Sequence, residues 1–397
     1  MKYAKITERL QGLGGEKWAL ALAARDMRRR GETVIDLTIG EPDIGTPPEL
    51  TAIAAERMHA GRTQYSNGRG EPALLEALSA RYAERLGRPV GADRFLCLPG
   101  TQTSLYLALN AVTEAGDEVL VSDPMYATYE ALIRSSGAVP ATVPLRPEHG
   151  FRLQAEDLAA RVTPRSRAIL INTPHNPTGA ILRRAELGAI LALAARHDLW
   201  VISDEVYGDL THDGMPAPSA LGDPAHEERV IAVASISKSH AAPGFRSGWL
   251  CASPEFCNRA LPLSETMLFG SQPFIADMTA AALTGPPALA RAMAARMARR
   301  AGILAERLDG VAGLRLIRPE AGMFALLDHR ALHSDSQTFA LRLLKETGVA
   351  AMPGASFGLA LEGWLRLALN ANDADTAEAA ERIAAFAGRC AALDTVS

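Results

Sequence analysis

The chain has 397 residues, 48% of them hydrophobic, which is enough for a large core and points to two domains rather than one. A formal net charge of -4 and a sequence pI near 6.2 argue against a nucleic-acid or anionic-membrane partner. Cys97, Cys251, Cys257 and Cys390 are too irregularly spaced for a disulfide framework or a zinc site, and no apolar run is long enough for a membrane span, so a cytoplasmic protein without metal is expected.

In chain order, Glu16 to Arg30 has a helical pattern that stops at Gly31, where the basic run Arg28 to Arg30 complements the helix dipole. Val34 to Ile39 reads as a short strand closed by the turn Gly40-Glu41-Pro42-Asp43. Thr46-Pro47-Pro48-Glu49 reads as a capped helix start, with that helix ending at Gly61. A polar loop, T-Q-Y-S-N-G-R-G, isolates Tyr65 before a helix from Pro72 to Leu86.

Strands and helices then alternate. Phe95 to Leu98, Glu118 to Ser122, Ala168 to Ile171, Leu199 to Ser203 and Val230 to Ala234 read as buried strands, with helices over Thr103 to Val112, Ala127 to Ser135 and Ala185 to Arg196. That order implies an α/β fold with a mainly parallel sheet covered by helices. Pro286-Pro287 opens a long Ala- and Arg-rich helix to Leu308, after which short strands and helices suggest a smaller α+β domain. The expected division is residues 48–285 for a large domain, and 1–47 with 286–397 for a small one.

Ligands in open α/β sheets bind beyond the carboxyl ends of the strands. Five such ends here carry distinctive chemistry. Pro99-Gly100-Thr101-Gln102 leads into a helix, offering free amides and a dipole to an anion, and Asp123-Pro124-Met125-Tyr126 offers an aromatic face. N-T-P-H-N-P-T-G and D-E-V-Y follow the next two strands, and S-I-S-K-S-H-A-A-P-G-F-R follows the last. Lys238 in that final segment lies between Ser235 and Arg246, a hydroxyl and a fork of donors suited to phosphate. An amine beside a bound phosphate is what a lysine Schiff base with pyridoxal phosphate requires.

Together H-N-P-T-G, D-E-V-Y and S-I-S-K followed by G-F-R resemble the class I/II aminotransferases, the fold-type I pyridoxal-phosphate enzymes, over nearly the whole chain. The resemblance implies that Lys238 binds the cofactor aldehyde and then moves the substrate α-proton, while Asp204 pairs with the pyridine nitrogen. It further implies that Tyr207 and Asn176 bond the ring oxygen, that Tyr126 stacks on the ring, and that Thr101, Gln102, Ser235 and Arg246 hold the phosphate. Arg366 in W-L-R-L-A-L matches the arginine that grips the substrate carboxylate. Gly40 and Asn176 border the same carboxylate, and Trp18 either lines the substrate pocket or packs as a helix core residue. Tyr65 matches a residue that reaches the partner's phosphate in a homodimer with shared active sites.

The implied reaction is amino transfer from an L-amino acid to a 2-oxo acid. A C–S lyase on the same fold is the alternative, and a ligand-sensing regulator domain is an alternative of another class. S-K-S-H, P-M-Y-A-T-Y-E and G-M-F also resemble the arginine–pyruvate transaminase branch, which implies a pocket for a cationic side chain, with Glu41 and Asp43 as candidates.

Overall fold

The structure, a computed structural model, describes residues 1–394. Among them run twelve strands. The first eight are β1 (Ile35–Leu37), β2 (Phe95–Leu98), β3 (Glu118–Asp123), β4 (Val139–Pro144), β5 (Ser166–Asn172), β6 (Trp200–Asp204), β7 (Val230–Ser235) and β8 (Gly248–Cys251). The last four are β9 (Arg315–Ile317), β10 (Phe324–Asp328), β11 (Val349–Pro353) and β12 (Trp364–Ala368).

They form a seven-stranded sheet, ordered β2-β8-β7-β6-β5-β3-β4, and a five-stranded sheet, ordered β1-β11-β12-β10-β9. In the larger sheet only β8 runs against its neighbours, so β2 to β7 all point the same way. Alternate residues of these strands feed two separate cores. Leu120, Ile169 and Val201 pack on one face with Leu78, whereas Val119, Leu170 and Ile202 pack on the other with Leu107. Both faces are covered, as parallel sheets require, and the strands therefore read as continuous apolar runs. The smaller sheet shares a third core with helix Ala288–Leu308 and helix Asp373–Asp394, through residues such as Leu304, Val349, Leu365 and Ile383.

Several sequence-based expectations change in detail. Thr46 does not cap the helix Pro48–His59. Its hydroxyl donates instead to Ala241 O at 2.6 Å, and Pro47 occupies the cap position. The helix expected from Thr103 begins at Gly100, and the one expected from Ala127 begins at Tyr129. β4 has no counterpart among the predicted strands because V-P-A-T-V-P carries two prolines. It pairs with β3 alone, at the sheet edge, where missing donors are tolerated. The four-residue β8 and the helices Pro254–Leu268 and Pro273–Thr284 were likewise not anticipated. The first of those helices does carry a legible start, since Ser253 Oγ accepts the Phe256 N–H at 3.1 Å and Pro254 sits at the first helical position.

Candidate active site

The parallel orientation of β2 to β7 places their carboxyl ends along one rim, and a cavity of about 250 Å³ opens there. Residues from all five predicted strand ends line it, together with Trp18, Gly40 and Glu41 from the N-terminal segment and Phe324 and Arg366 from the smaller sheet.

Lys238 lies in the one-turn helix Ile236–Ser239 that follows β7. Ser235 Oγ accepts the Ser237 N–H at 3.3 Å, which fixes the start of that turn. The Lys238 ammonium donates to Gly40 O at 2.7 Å. Burial outweighs the favourable field of Glu41 and pushes the lysine down to about 8, so the amine gives up its proton far more readily than a free lysine, although most of it stays charged at pH 7. Gly40 must be glycine here because a Cβ would run into the Phe324 ring.

Asp204, at the end of β6, is buried, and burial moves it the other way, up to about 6. Tyr129 donates its hydroxyl to Asp204 Oδ2 at 2.7 Å, and the Val206 N–H reaches Oδ1 at 3.1 Å. Asn172 Nδ2 donates to the Asp204 carbonyl at 2.9 Å, while its own Oδ1 accepts the Asn176 N–H at 2.7 Å. The Asn176 amide reaches the buried Tyr207 hydroxyl, whose ionisation burial strongly opposes.

Arg366 crosses from the smaller sheet and is 1% exposed. Its guanidinium donates to Asn176 Oδ1 at 3.1 Å and to Thr38 O, and it lies 4.0 Å from the Phe324 ring centre and 4.3 Å from that of Phe357. Burial without a carboxylate partner pushes it down to about 9, which still leaves it cationic at neutral pH. Its Nε has no acceptor. An unpaired buried donor of this kind costs about 1–3 kcal/mol, which an incoming carboxylate would recover.

Also lining the cavity, Thr101 and Gln102 occupy the first turn of the 13-residue helix Gly100–Val112, where backbone N–H groups lack intrahelical acceptors. Thr101 Oγ1 is buried and unpartnered. Gly100 has φ +80, and a Cβ there would strike the Arg246 guanidinium, which approaches from the turn after Pro243. Orphan amides, a free hydroxyl and a guanidinium at a helix N-terminus together suit a dianion.

The fold thus brings together Lys238, Asp204, Asn176, Tyr207, Tyr126, Thr101, Gln102, Ser235, Arg246, Arg366, Gly40 and Trp18. Tyr65 lies elsewhere, 86% exposed, with its ring edge-on to the exposed Phe269 at 4.7 Å. Asp43 is corrected as a candidate for binding a cation. Its carboxylate is held by Arg296 at 2.6 and 2.9 Å and by Arg300 at 3.0 Å. Tyr129, Asn172 and Phe324 were missed. Asn172 could have been suspected as the first residue after a predicted strand, whereas Tyr129 and Phe324 read only as packing aromatics. Among the described residues, no His/Cys/Asp/Glu cluster could hold a metal, and no helix is long and apolar enough to cross a membrane.

This arrangement of a desolvated lysine, a buried carboxylate and a buried arginine without a carboxylate partner coincides with a family relationship. Residues 32–383 match the family described as aminotransferase class I and II, and the chain belongs to it. The arginine–pyruvate transaminase of Pseudomonas aeruginosa is 40% identical over 97% of this chain and 98% of its own length. The aspartate/prephenate aminotransferase of Thermus thermophilus is 32% identical over 94% and 95%. Among solved structures, the Thermus thermophilus aspartate aminotransferase with maleate superposes with a TM-score of 0.90 at 30% identity, covering 97% of this chain and 99% of that one. The aspartate aminotransferase of Rhizobium meliloti gives 0.92 at 27% identity, covering 98% and 99%. The fold is that of the fold-type I aminotransferases, and the activity is transfer of an amino group between an amino acid and an oxo acid.

Desolvation of Lys238 can be measured directly. The chain has five lysines, and competitive acetylation of ligand-free protein across pH 6–10 should show Lys238 gaining reactivity with a midpoint near 8. A midpoint near that of a free lysine, about 10.4, would show that the amine is solvated.

Proposed function

We propose that the chain is a pyridoxal-phosphate-dependent aminotransferase that takes L-arginine as amino donor and pyruvate as acceptor. The observation that carries the cofactor assignment is the desolvated Lys238 amine, which shares one cavity with an anion cradle and a buried carboxylate. When bound, pyridoxal phosphate supplies an electrophilic aldehyde and an electron-withdrawing ring. Thr101, Gln102, Ser235 and Arg246 hold its phosphate, and the unpartnered Thr101 Oγ1 fits that duty. Asp204 receives the proton-bearing ring nitrogen. A buried carboxylate beside that charge would stabilise the protonated ring. Tyr207 and Asn176 donate to the ring oxygen, and Tyr126 covers a ring face.

Arg366 orients the substrate by its α-carboxylate, with Gly40, Asn176 and Trp18 bordering the same space. The flanking rings of Phe324 and Phe357 hold the guanidinium in one plane, which reduces the ordering cost of the bidentate contact. Lys238 Nζ takes the proton from the substrate α-carbon and returns it elsewhere. Its lowered proton affinity suits both halves of that task.

The donor assignment rests on the 40% identity to an arginine–pyruvate transaminase and on one carboxylate. Glu41 and Asp204 are the carboxylates among the described residues lining the cavity, and Asp204 is already engaged by Tyr129 and Val206. Glu41 is exposed at the mouth and remains for a cationic side chain. The active unit is a homodimer in cytoplasm, with Tyr65 of each protomer completing its partner's phosphate site; the exposed Tyr65–Phe269 pair suits such an interface. Residues 48–285 form the cofactor-binding domain, and residues 1–47 with 286–397 form the small one, its last three residues lying outside those the structure describes. The pairing of β1 with β11 supports grouping the N-terminal segment with the second sheet.

Borohydride reduction of the loaded enzyme should attach the cofactor to Lys238, and K238A should bind it only reversibly; attachment at any other lysine overturns the assignment. In single turnovers, L-arginine and L-lysine should react faster than L-aspartate, with pyruvate reversing the change. Glu41→Gln should lower kcat/KM for arginine roughly fivefold, as expected for one partly solvated charge pair, and leave alanine nearly unchanged. An equal loss for both substrates would remove Glu41 from side-chain recognition. Mixing Tyr65→Ala chains with Lys238→Ala chains should restore activity above both parents, because each hybrid holds one intact site. Failure to do so means that the sites are not shared.

A further inference from the structure

We infer that Tyr129 is a positioning residue for amino transfer, acting through Asp204 to keep that carboxylate ionised and aimed at the cofactor ring nitrogen. This deepens the pyridoxal-phosphate reading and rests on it. Tyr129 is the first residue of the helix Tyr129–Ser135 and is 1% exposed. Its hydroxyl meets Asp204 Oδ2 at 2.7 Å, and among the described residues Asp204 is the one hydrogen-bond partner of that hydroxyl. A buried phenol with a single charged acceptor is held to that geometry, because leaving the donor unpaired in the core is costly.

The contact has two physical consequences. First, it divides the carboxylate between two donors. Oδ2 is occupied by Tyr129 and Oδ1 by the Val206 N–H, so the carboxylate plane is set before any ligand arrives. Second, a donor to the ionised form opposes the effect of burial. Asp204 is desolvated, and Glu205 beside it also favours protonation, whereas Tyr129, the Val206 amide and the Lys238 charge favour ionisation. Tyr126 and Tyr207 face the same carboxylate as neutral phenols. Of the three groups that favour ionisation, Tyr129 acts most strongly, ahead of the Val206 amide and the Lys238 charge. Tyr129 is therefore the side chain that does most to keep Asp204 anionic at neutral pH. Its ring also meets Tyr126 edge-on at 5.6 Å, so the same residue backs the aromatic face assigned to the cofactor ring.

Tyr129→Phe keeps the ring packing and removes only the hydroxyl. Measured by equilibrium dialysis at pH 7.5, its affinity for pyridoxal phosphate should fall about tenfold, and the acid limb of the affinity–pH profile should move up by roughly one pH unit, as loss of one hydrogen bond to a charged acceptor implies. The sign follows from the chemistry: without the donor, Asp204 takes up its proton at higher pH and the ion pair with the ring nitrogen is lost earlier. In an Asp204→Asn background, Tyr129→Phe should change affinity less than twofold, because the two residues act as one unit. An unmoved acid limb, or equal losses in both backgrounds, overturns the inference and leaves Tyr129 as packing. Borohydride attachment of cofactor to Lys238 in the wild type separates the two readings. If the cofactor is not found there, the pyridoxal-phosphate assignment itself fails; if it is there and Tyr129→Phe is silent, only the role of Tyr129 does.

Discussion

Six strands of the large sheet run in one direction, and the rest of the site depends on that constraint. A parallel sheet needs crossovers that return the chain to the same starting side, so each polar strand exit falls on one rim. Residues as far apart in sequence as Thr101 and Lys238 become neighbours without any direct sequence relationship. The crossover helices cover both faces, and the rim therefore opens onto a chamber with low-dielectric walls.

That desolvation shifts the two central titratable groups in opposite directions. Lys238 is pushed down to about 8 and Asp204 up to about 6, each toward its neutral form, by burial. Both groups are brought close to physiological pH, where small local contacts decide their charge. Gly40 O holds the lysine, and the Tyr129 hydroxyl and Val206 amide hold the aspartate. Arg366 cannot escape its charge in the same way, and its cost is relieved by two aromatic faces and two oxygen acceptors.

Arg366 also ties the two sheets together. It starts on β12 of the smaller sheet, meets Asn176 from the exit of β5, and reaches Thr38 just after β1. The turn that follows is held by Asp43, locked between Arg296 and Arg300 of the long helix Ala288–Leu308. Gly40, between these two anchors, is thereby placed over Lys238. Thr38, which anchors Arg366, Gly40, which tethers Lys238, and the mouth carboxylate Glu41 are parts of one continuous segment.

The sequence by itself determined the parallel sheet and most of the cavity wall, because buried strands appear as unbroken apolar runs and each exit carries residues whose chemistry differs sharply from a loop's. H-N-P-T-G, D-E-V-Y and S-I-S-K were legible for that reason, and Lys238, Asp204 and Arg366 do share a cavity. Local signals failed where they pointed elsewhere: the prolines of β4 masked an edge strand, and Thr46 resembled a cap although its hydroxyl is used across the fold. Tertiary structure alone decided which carboxylate near the mouth stays free, since Glu41 and Asp43 look alike in sequence and only the approach of Arg296 and Arg300 removes Asp43. It alone distinguished Tyr129 from a packing aromatic. A hydroxyl becomes a functional donor only when a distant strand delivers an acceptor to it, and spacing along the chain carries no record of that meeting.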